Sequence, residues 1–97
     1  MHYSFHPSAE EELYEAINYY EECAEGLGFE FAREVYHSIQ NIISFPSAWP
    51  PLSEKTRRCI INRFPYGVVY QPTDKEIYII AIMHLHKLPE YWEKREK

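Results

Sequence analysis

Most of the side chains in this 97-residue sequence that could do chemistry fall after residue 56. Arg57, Arg58, Arg63, His84, His86, Lys87, Tyr91 and Arg95 form a candidate cluster of cations, imidazoles and a phenol. An imidazole exchanges protons near neutral pH, which makes His84 a candidate general base. Arg63, Lys87 and Tyr91 are the groups that could then assist a phosphate. Each has a structural alternative. His84 at a strand end can simply hydrogen-bond to backbone. Arg57 and Arg58 can solvate a strand edge and keep it from pairing with another chain. Arg63 can pair with a helix glutamate. Tyr66, Tyr70, Tyr91 and Trp92 could stack on bases, or they could serve the core or a partner-facing surface. His84 and His86 are two apart and would share a strand face. Two imidazoles without a third ligand do not hold a metal, and His2 and His6 are no better placed, so neither metal nor cofactor is expected.

Composition bounds what those groups can serve. A chain of this length makes one domain, residues 1–97, and buries roughly 60–65% of its unfolded surface. An apolar fraction of 45% and nine tyrosines mark a folded chain. The net charge of −5 argues against a general nucleic-acid binder. The charge is also lopsided. Residues 1–50 carry nine acidic side chains and one basic one, Arg33, while residues 51–97 carry nine basic and six acidic. The basic half permits a local anionic partner without requiring one. The N-terminus has neither a basic region nor an apolar run of the targeting kind. The longest apolar run, Ile77 to Met83, is far short of a membrane span. Cys23 and Cys59 read as reduced thiols, so the expected location is cytoplasmic, with no membrane partner.

The elements that would position these groups follow from periodicity. Residues 2–6 read as a strand with Tyr3 and Phe5 on one face. Ser8 and Glu11 fit a capping box, and a helix runs from there to about Glu25 on the stripe Ala9, Leu13, Ala16, Ile17, Tyr20, Ala24. Gly26-Leu27-Gly28 breaks it. A second stripe, Phe31, Val35, Ile39, Ile42, ends before Pro46. Ser44 to Glu54 reads as a loop. Arg57–Phe64, Tyr66–Gln71 and Glu76–His84 read as strands, with Pro72-Thr73-Asp74-Lys75 as a turn. The unbroken apolar run in the last strand predicts a central strand covered on both faces. Pro89 to Arg95 predicts a last helical turn or two. The fold class is α+β: a two-helix antiparallel hairpin packed on a mostly antiparallel four-stranded sheet, in the order β-α-α-β-β-β with a short C-terminal helix.

Four stretches, in this order, resemble the RelE/ParE toxin superfamily. His6-Pro7-Ser8-Ala9-Glu10 is similar to its opening motif. Phe45-Pro46-Ser47-Ala48-Trp49-Pro50 is similar to its loop between helices and strands. Arg63-Phe64-Pro65-Tyr66-Gly67-Val68-Val69-Tyr70 is similar to its hairpin. Ile80-Ala81-Ile82-Met83-His84, with Lys87-Leu88-Pro89-Glu90-Tyr91-Trp92 and Arg95, is similar to its closing motif, with Lys87 where arginine is usual. The resemblance implies a type II toxin neutralised by a cognate antitoxin, with any DNA contact made through that antitoxin. It leaves two branches. RelE-like members cleave mRNA on the ribosome; ParE-like members bind and inhibit DNA gyrase, and are associated with plasmid stabilisation. RelE-like nucleases carry an arginine where this chain has Gly67, and paired lysines where it has Cys59, Ile60 and Ile61. The expectation is therefore a ParE-like, non-enzymatic toxin whose partner-binding residues are drawn from Arg57, Arg58, Arg63, Tyr66, Tyr70, His84, Lys87, Tyr91, Trp92 and Arg95. The alternatives are a ribosome-dependent endonuclease using Arg63, His84, Lys87 and Tyr91, and a non-toxic interaction module of the same fold.

Overall fold

The structure, a computed structural model, describes residues 2–87 and 90–97. Its order is β1 (His2–Phe5), α1 (Pro7–Cys23), α2 (Leu27–Ser44), β2 (Arg57–Ile60), β3 (Tyr66–Pro72) and β4 (Glu76–His84), followed by a 3-10 turn at Glu93–Arg95. The sheet order is β1-β4-β3-β2, with β1 parallel to β4 and the other pairs antiparallel. The α+β class and element order are those expected from sequence.

The helices form because each presents one apolar stripe to the sheet. Ala9, Leu13 and Ala16 of α1 and Phe31, Val35, Ile39 and Ile42 of α2 are buried against Val68, Tyr70, Ile77, Ile79 and Ile82. Each large side chain so buried contributes about 1.5–3 kcal/mol before chain entropy is counted. The caps differ from the capping box expected at Ser8. His6 is the N-cap: its Nδ1 accepts the Ser8 N–H at 3.0 Å, and Pro7 opens the helix, where a missing N–H costs nothing. The break also shifts. Gly26 caps α2 at φ 84°, and Gly28 lies inside α2 rather than before it. A Cβ on Gly28 would sit 2.5 Å from the Ile17 carbonyl oxygen, so only glycine lets the two helices meet this closely. Gly26 has no side chain to cap α2, and Glu21 of α1 replaces it by accepting the N–H groups of Gly26 and Gly28 at 2.9 and 3.0 Å.

β2 is shorter than the expected Arg57–Phe64 strand. After Ile60 the chain turns, with Arg63 at φ 73°, and Phe64 swings into the core against Tyr20 and Phe31. Residues 50–52 partly cover the outer edge of β2 through a Pro51–Arg57 bridge and an Arg58 N–H to Pro50 oxygen bond of 3.2 Å.

β4 is central and two-sided, and one irregularity sets its phase. Val69 opposes Ala81 while Tyr70 opposes Ile79, so Ile80 is an extra residue. Below this bulge Ile77 and Ile79 face the helices; above it Ile82 does. Ile80, Ala81 and Met83 face the other side, where Val69 and Trp92 complete a second cluster. The bulge therefore turns His84, two residues past Ile82, toward the helical side.

The C-terminal segment covers that second face. Trp92 is 1% exposed, although only a short 3-10 turn follows where a helix from Pro89 was expected; Leu88 and Pro89 lie outside the described residues. The Glu96 carboxylate accepts hydroxyls from Thr56 and, at 2.7 Å, Ser53. The Lys97 N–H bonds Gln71 at 2.9 Å, and its ammonium pairs with Glu76 at 3.2 Å. The Thr56 hydrogen bond foremost holds the Glu96 carboxyl below its ordinary value, and Ser4 does the same for Glu76.

Two outcomes follow. Trp92→Ala removes the plug of the second face and should cost about 3–5 kcal/mol in urea unfolding; a loss below about 1 kcal/mol would contradict the packing described. Depressed carboxyls add stability above their unfolded pKa and lose it as pH falls through the folded one. Unfolding free energy should thus decline between about pH 5 and pH 3. Thr56→Val should make that decline shallower, and an unchanged slope would remove Glu96 from the account.

Candidate functional site

Where β1 ends, β4 does not. His6 donates its N–H to the Ile79 oxygen at 2.8 Å, and past that point the edge of β4 has no neighbouring strand among the described residues. Two side chains take the place of the missing strand. Arg95 Nη1 donates to the Ile80 carbonyl at 3.0 Å, and Glu12 Oε1 accepts the Ile82 N–H at 3.1 Å. The same two atoms, Arg95 Nη1 and Glu12 Oε1, are 3.0 Å apart. Their side chains are 17% and 21% exposed, so water screens the pair only partly. The charge pair thus satisfies the Ile80 carbonyl and the Ile82 N–H, which a longer β1 would otherwise have bonded.

This arrangement forms the floor of a cleft of about 470 Å³ between α1 and the upper half of β4. Glu11, Glu12, Glu15 and Tyr19 of α1 make one wall; Tyr66, His84, Lys87, Tyr91 and Arg95 make the other. Five of the sequence-derived candidates are therefore brought together. The others are not. Arg63 is exposed at the start of α2, paired with Glu30 at 2.6 Å and placed over the Phe64 ring at 5.5 Å. Arg57 donates to the Trp49 carbonyl at 2.6 Å, and the Arg58 stem lies over Gly67. Tyr70 is fully buried, its hydroxyl donating to the Pro46 oxygen at 2.7 Å and its phenol pushed up to about 12 by burial. Trp92 is in the second core cluster. Tyr70 and Trp92 thus follow the core alternative, and Arg63 its ion pair with a helix glutamate.

Within the cleft His84, Tyr91 and Arg95 are already engaged. His84 Nδ1 accepts the His86 N–H at 3.1 Å, and the ring packs edge-on against Tyr66 at 5.0 Å. An Nδ1 that accepts leaves the proton of the neutral ring on Nε2, so the free nitrogen is a donor, not a base. The Tyr91 phenol is pushed above its ordinary range, first by burial and then by the Glu12 carboxylate, and keeps its proton. Arg95 and Lys87 lie over the Tyr91 ring at 5.0 and 5.7 Å. Burial also raises the Tyr66 phenol. His84 is the last residue of β4, and His86 lies beyond it in a turn, so the two do not share a strand face as expected. Among the described residues no three histidine, cysteine, aspartate or glutamate side chains are grouped to hold a metal. No helix there is long and apolar enough to cross a membrane.

Sequence reasoning missed the acidic wall. Its signal was present: Ser8, Glu11, Glu12, Glu15 and Tyr19 recur at helical spacing beside the Ala9–Leu13–Ala16 stripe. That they face Arg95 depends on a contact spanning 83 positions, which periodicity does not carry.

The small α+β fold gives the structural class, and three comparisons give the family. The family described as the ParE toxin of type II toxin-antitoxin system, parDE, matches residues 3–89. Toxin ParE2 of Mycobacterium tuberculosis, in strains CDC 1551 / Oshkosh and ATCC 25618 / H37Rv, is 31% identical over 80 residues, covering 81% of this chain and 76% of each relative. A chain from the chromosomal ParDE TA system of P. aeruginosa superposes with a TM-score of 0.74 at 15% identity, covering 89% of this chain and 97% of that one, a likeness of fold. The chain belongs to the ParE toxin family of type II toxin-antitoxin systems.

Arg95→Ala leaves the Glu12 carboxylate and the Ile80 carbonyl without their partner and should cost about 2–4 kcal/mol. In a double-mutant cycle with Glu12→Ala the coupling should be about 1–3 kcal/mol. Additive losses would show that the two side chains do not act as a unit.

Proposed function

We propose that this ParE-family toxin acts by binding a protein, DNA gyrase, in the cytoplasm, as one domain spanning residues 1–97. A cognate antitoxin neutralises it through a flexible segment that folds across the sheet and helix pair. DNA contact is made only through that antitoxin, and the same role would serve plasmid stabilisation.

The observation that supports binding over catalysis is the state of the cleft. Cleaving RNA needs a base for the 2′-hydroxyl and unshared cations for the phosphorane. Here Glu12 and the Ile80 carbonyl hold Arg95, the His86 N–H occupies His84 Nδ1, Tyr91 retains its proton, and Glu11 and Glu15 oppose any phosphate. Gly67 supplies no cation, and a Cβ there would meet the Arg58 stem at 3.0 Å. Of the two remaining nuclease candidates, Arg63 is tied to Glu30 away from the cleft, and Lys87 stands in it as a single cation besides Arg95, over the Tyr91 ring at 5.7 Å.

The test is supercoiling by purified gyrase with the purified chain. Inhibition with accumulation of cleaved DNA is expected. Growth arrest on induction with gyrase unaffected contradicts the target. Absence of any growth defect without an antitoxin would favour the non-toxic interaction module.

A further inference from the structure

Trp92 carries a donor that nothing accepts. Its side chain is 1% exposed, and among the described residues no group accepts the indole N–H. Val69, Ile80, Ala81 and Met83 surround the ring with hydrocarbon and one thioether, a weak acceptor. A buried indole usually finds a partner for this N–H. An unmet donor opposes the burial of the ring that bears it, so the plug of the second face is held less firmly than its area implies.

The segment around Trp92 is attached in a way that lets it lift. Backbone bonds within residues 91–97 are local: the Arg95 N–H to the Trp92 oxygen at 2.9 Å, and the Glu96 N–H to the Glu93 oxygen at 3.2 Å. Among the described residues, none of the backbone groups of 91–97 bonds the backbone of a strand or helix. Every hydrogen-bonded tie to the rest of the fold uses a side chain. Arg95 reaches Glu12 and the Ile80 carbonyl, Glu96 takes the Ser53 and Thr56 hydroxyls, and Lys97 meets Gln71 and Glu76. Water can replace each of these bonds once the segment leaves, and segments so held open at less cost than a paired strand.

We infer that residues 91–97 are a latch that opens as one unit ahead of global unfolding, and that the unmet Trp92 donor is why the open form is sampled. Opening does two things at once. It bares Val69, Ile80, Ala81 and Met83, and it withdraws Tyr91 and Arg95 from the cleft, leaving the Ile80 carbonyl to water. The complete cleft therefore belongs to the closed form. A partner seated there binds in proportion to the closed fraction and shifts the latch shut.

The test is thiol labelling of the folded full chain. Ala81→Cys places a reporter beneath Trp92, and Cys59, buried on the opposite face of the sheet, reports opening of the main core; Cys23→Ser removes the exposed thiol. The Ala81→Cys thiol should react at least about tenfold faster than Cys59. Trp92→3-benzothienylalanine keeps the ring's shape but puts sulfur in place of the N–H, and should slow that reaction about fivefold or more. Thr56→Val loosens the far end at Glu96 and should speed it about threefold or more, with Cys59 unchanged in both variants. Should Ala81→Cys fail to fold, Val69→Cys reports from the same face. Equal rates at the two thiols would overturn the latch, and so would a Thr56→Val chain whose reporter rate is unchanged. A benzothienyl variant that reacts as fast as the indole would overturn the role of the unmet donor. Gyrase inhibition is read separately, so either reading can fail without the other.

Discussion

The end of β1 at Phe5 leaves β4 with polar backbone groups and, among the described residues, no strand to bond them, and much of the molecule is arranged around that deficit. Glu12 from α1 and Arg95 from the C-terminal segment supply the missing acceptor and donor. In doing so they tie the first helix to the last residues across the open edge. A half-buried pair in a low-dielectric setting is stabilising only when its remaining hydrogen-bonding capacity is filled. Here the Ile80 carbonyl, the Ile82 N–H and the Tyr91 ring fill it. Trp92, three residues before Arg95, is then held against Val69, Ile80, Ala81 and Met83, so closure of the edge and covering of the sheet's second face are one event.

The same pair decides what the cleft can do. Its floor is an arginine whose charge is already compensated, beneath a wall of carboxylates. The Ile80 bulge turns His84 into this space, but the His86 N–H occupies its Nδ1. Arg95 and His84, which could serve a phosphate in another setting, are here committed to holding the fold. A surface of that kind suits recognition of a polypeptide, which can answer both signs of charge, better than recognition of a uniformly anionic strand.

Much of this was legible in the sequence where the cause is local. The stripes Ala9–Leu13–Ala16 and Phe31–Val35–Ile39–Ile42 fix the helices, and the unbroken apolar run in β4 correctly implies burial on both faces. Capping was less legible: His6 and Pro7 do what Ser8 and Glu11 were expected to do, because an imidazole Nδ1 can stand in for a hydroxyl. The early end of β2 depends on Arg63 adopting a left-handed conformation, which nothing in a β-branched run announces. The candidate cluster was half legible. Tyr66, His84, Lys87, Tyr91 and Arg95 converge, whereas Arg57, Arg58 and Arg63 are dispersed by β2's position at the sheet edge and the turn that follows it. That the acidic wall faces Arg95 became visible only with the fold, since that contact joins residues 83 positions apart.

The central proposal is that the cleft is neutralised from within and does not cut RNA. In vitro translation with the purified chain, followed by primer extension on the translated mRNA, tests it most directly. The account predicts an unbroken message over the full length of the reading frame. Cuts at ribosome-bound codons that disappear in an Arg63→Ala, His84→Ala variant of unchanged stability would contradict it.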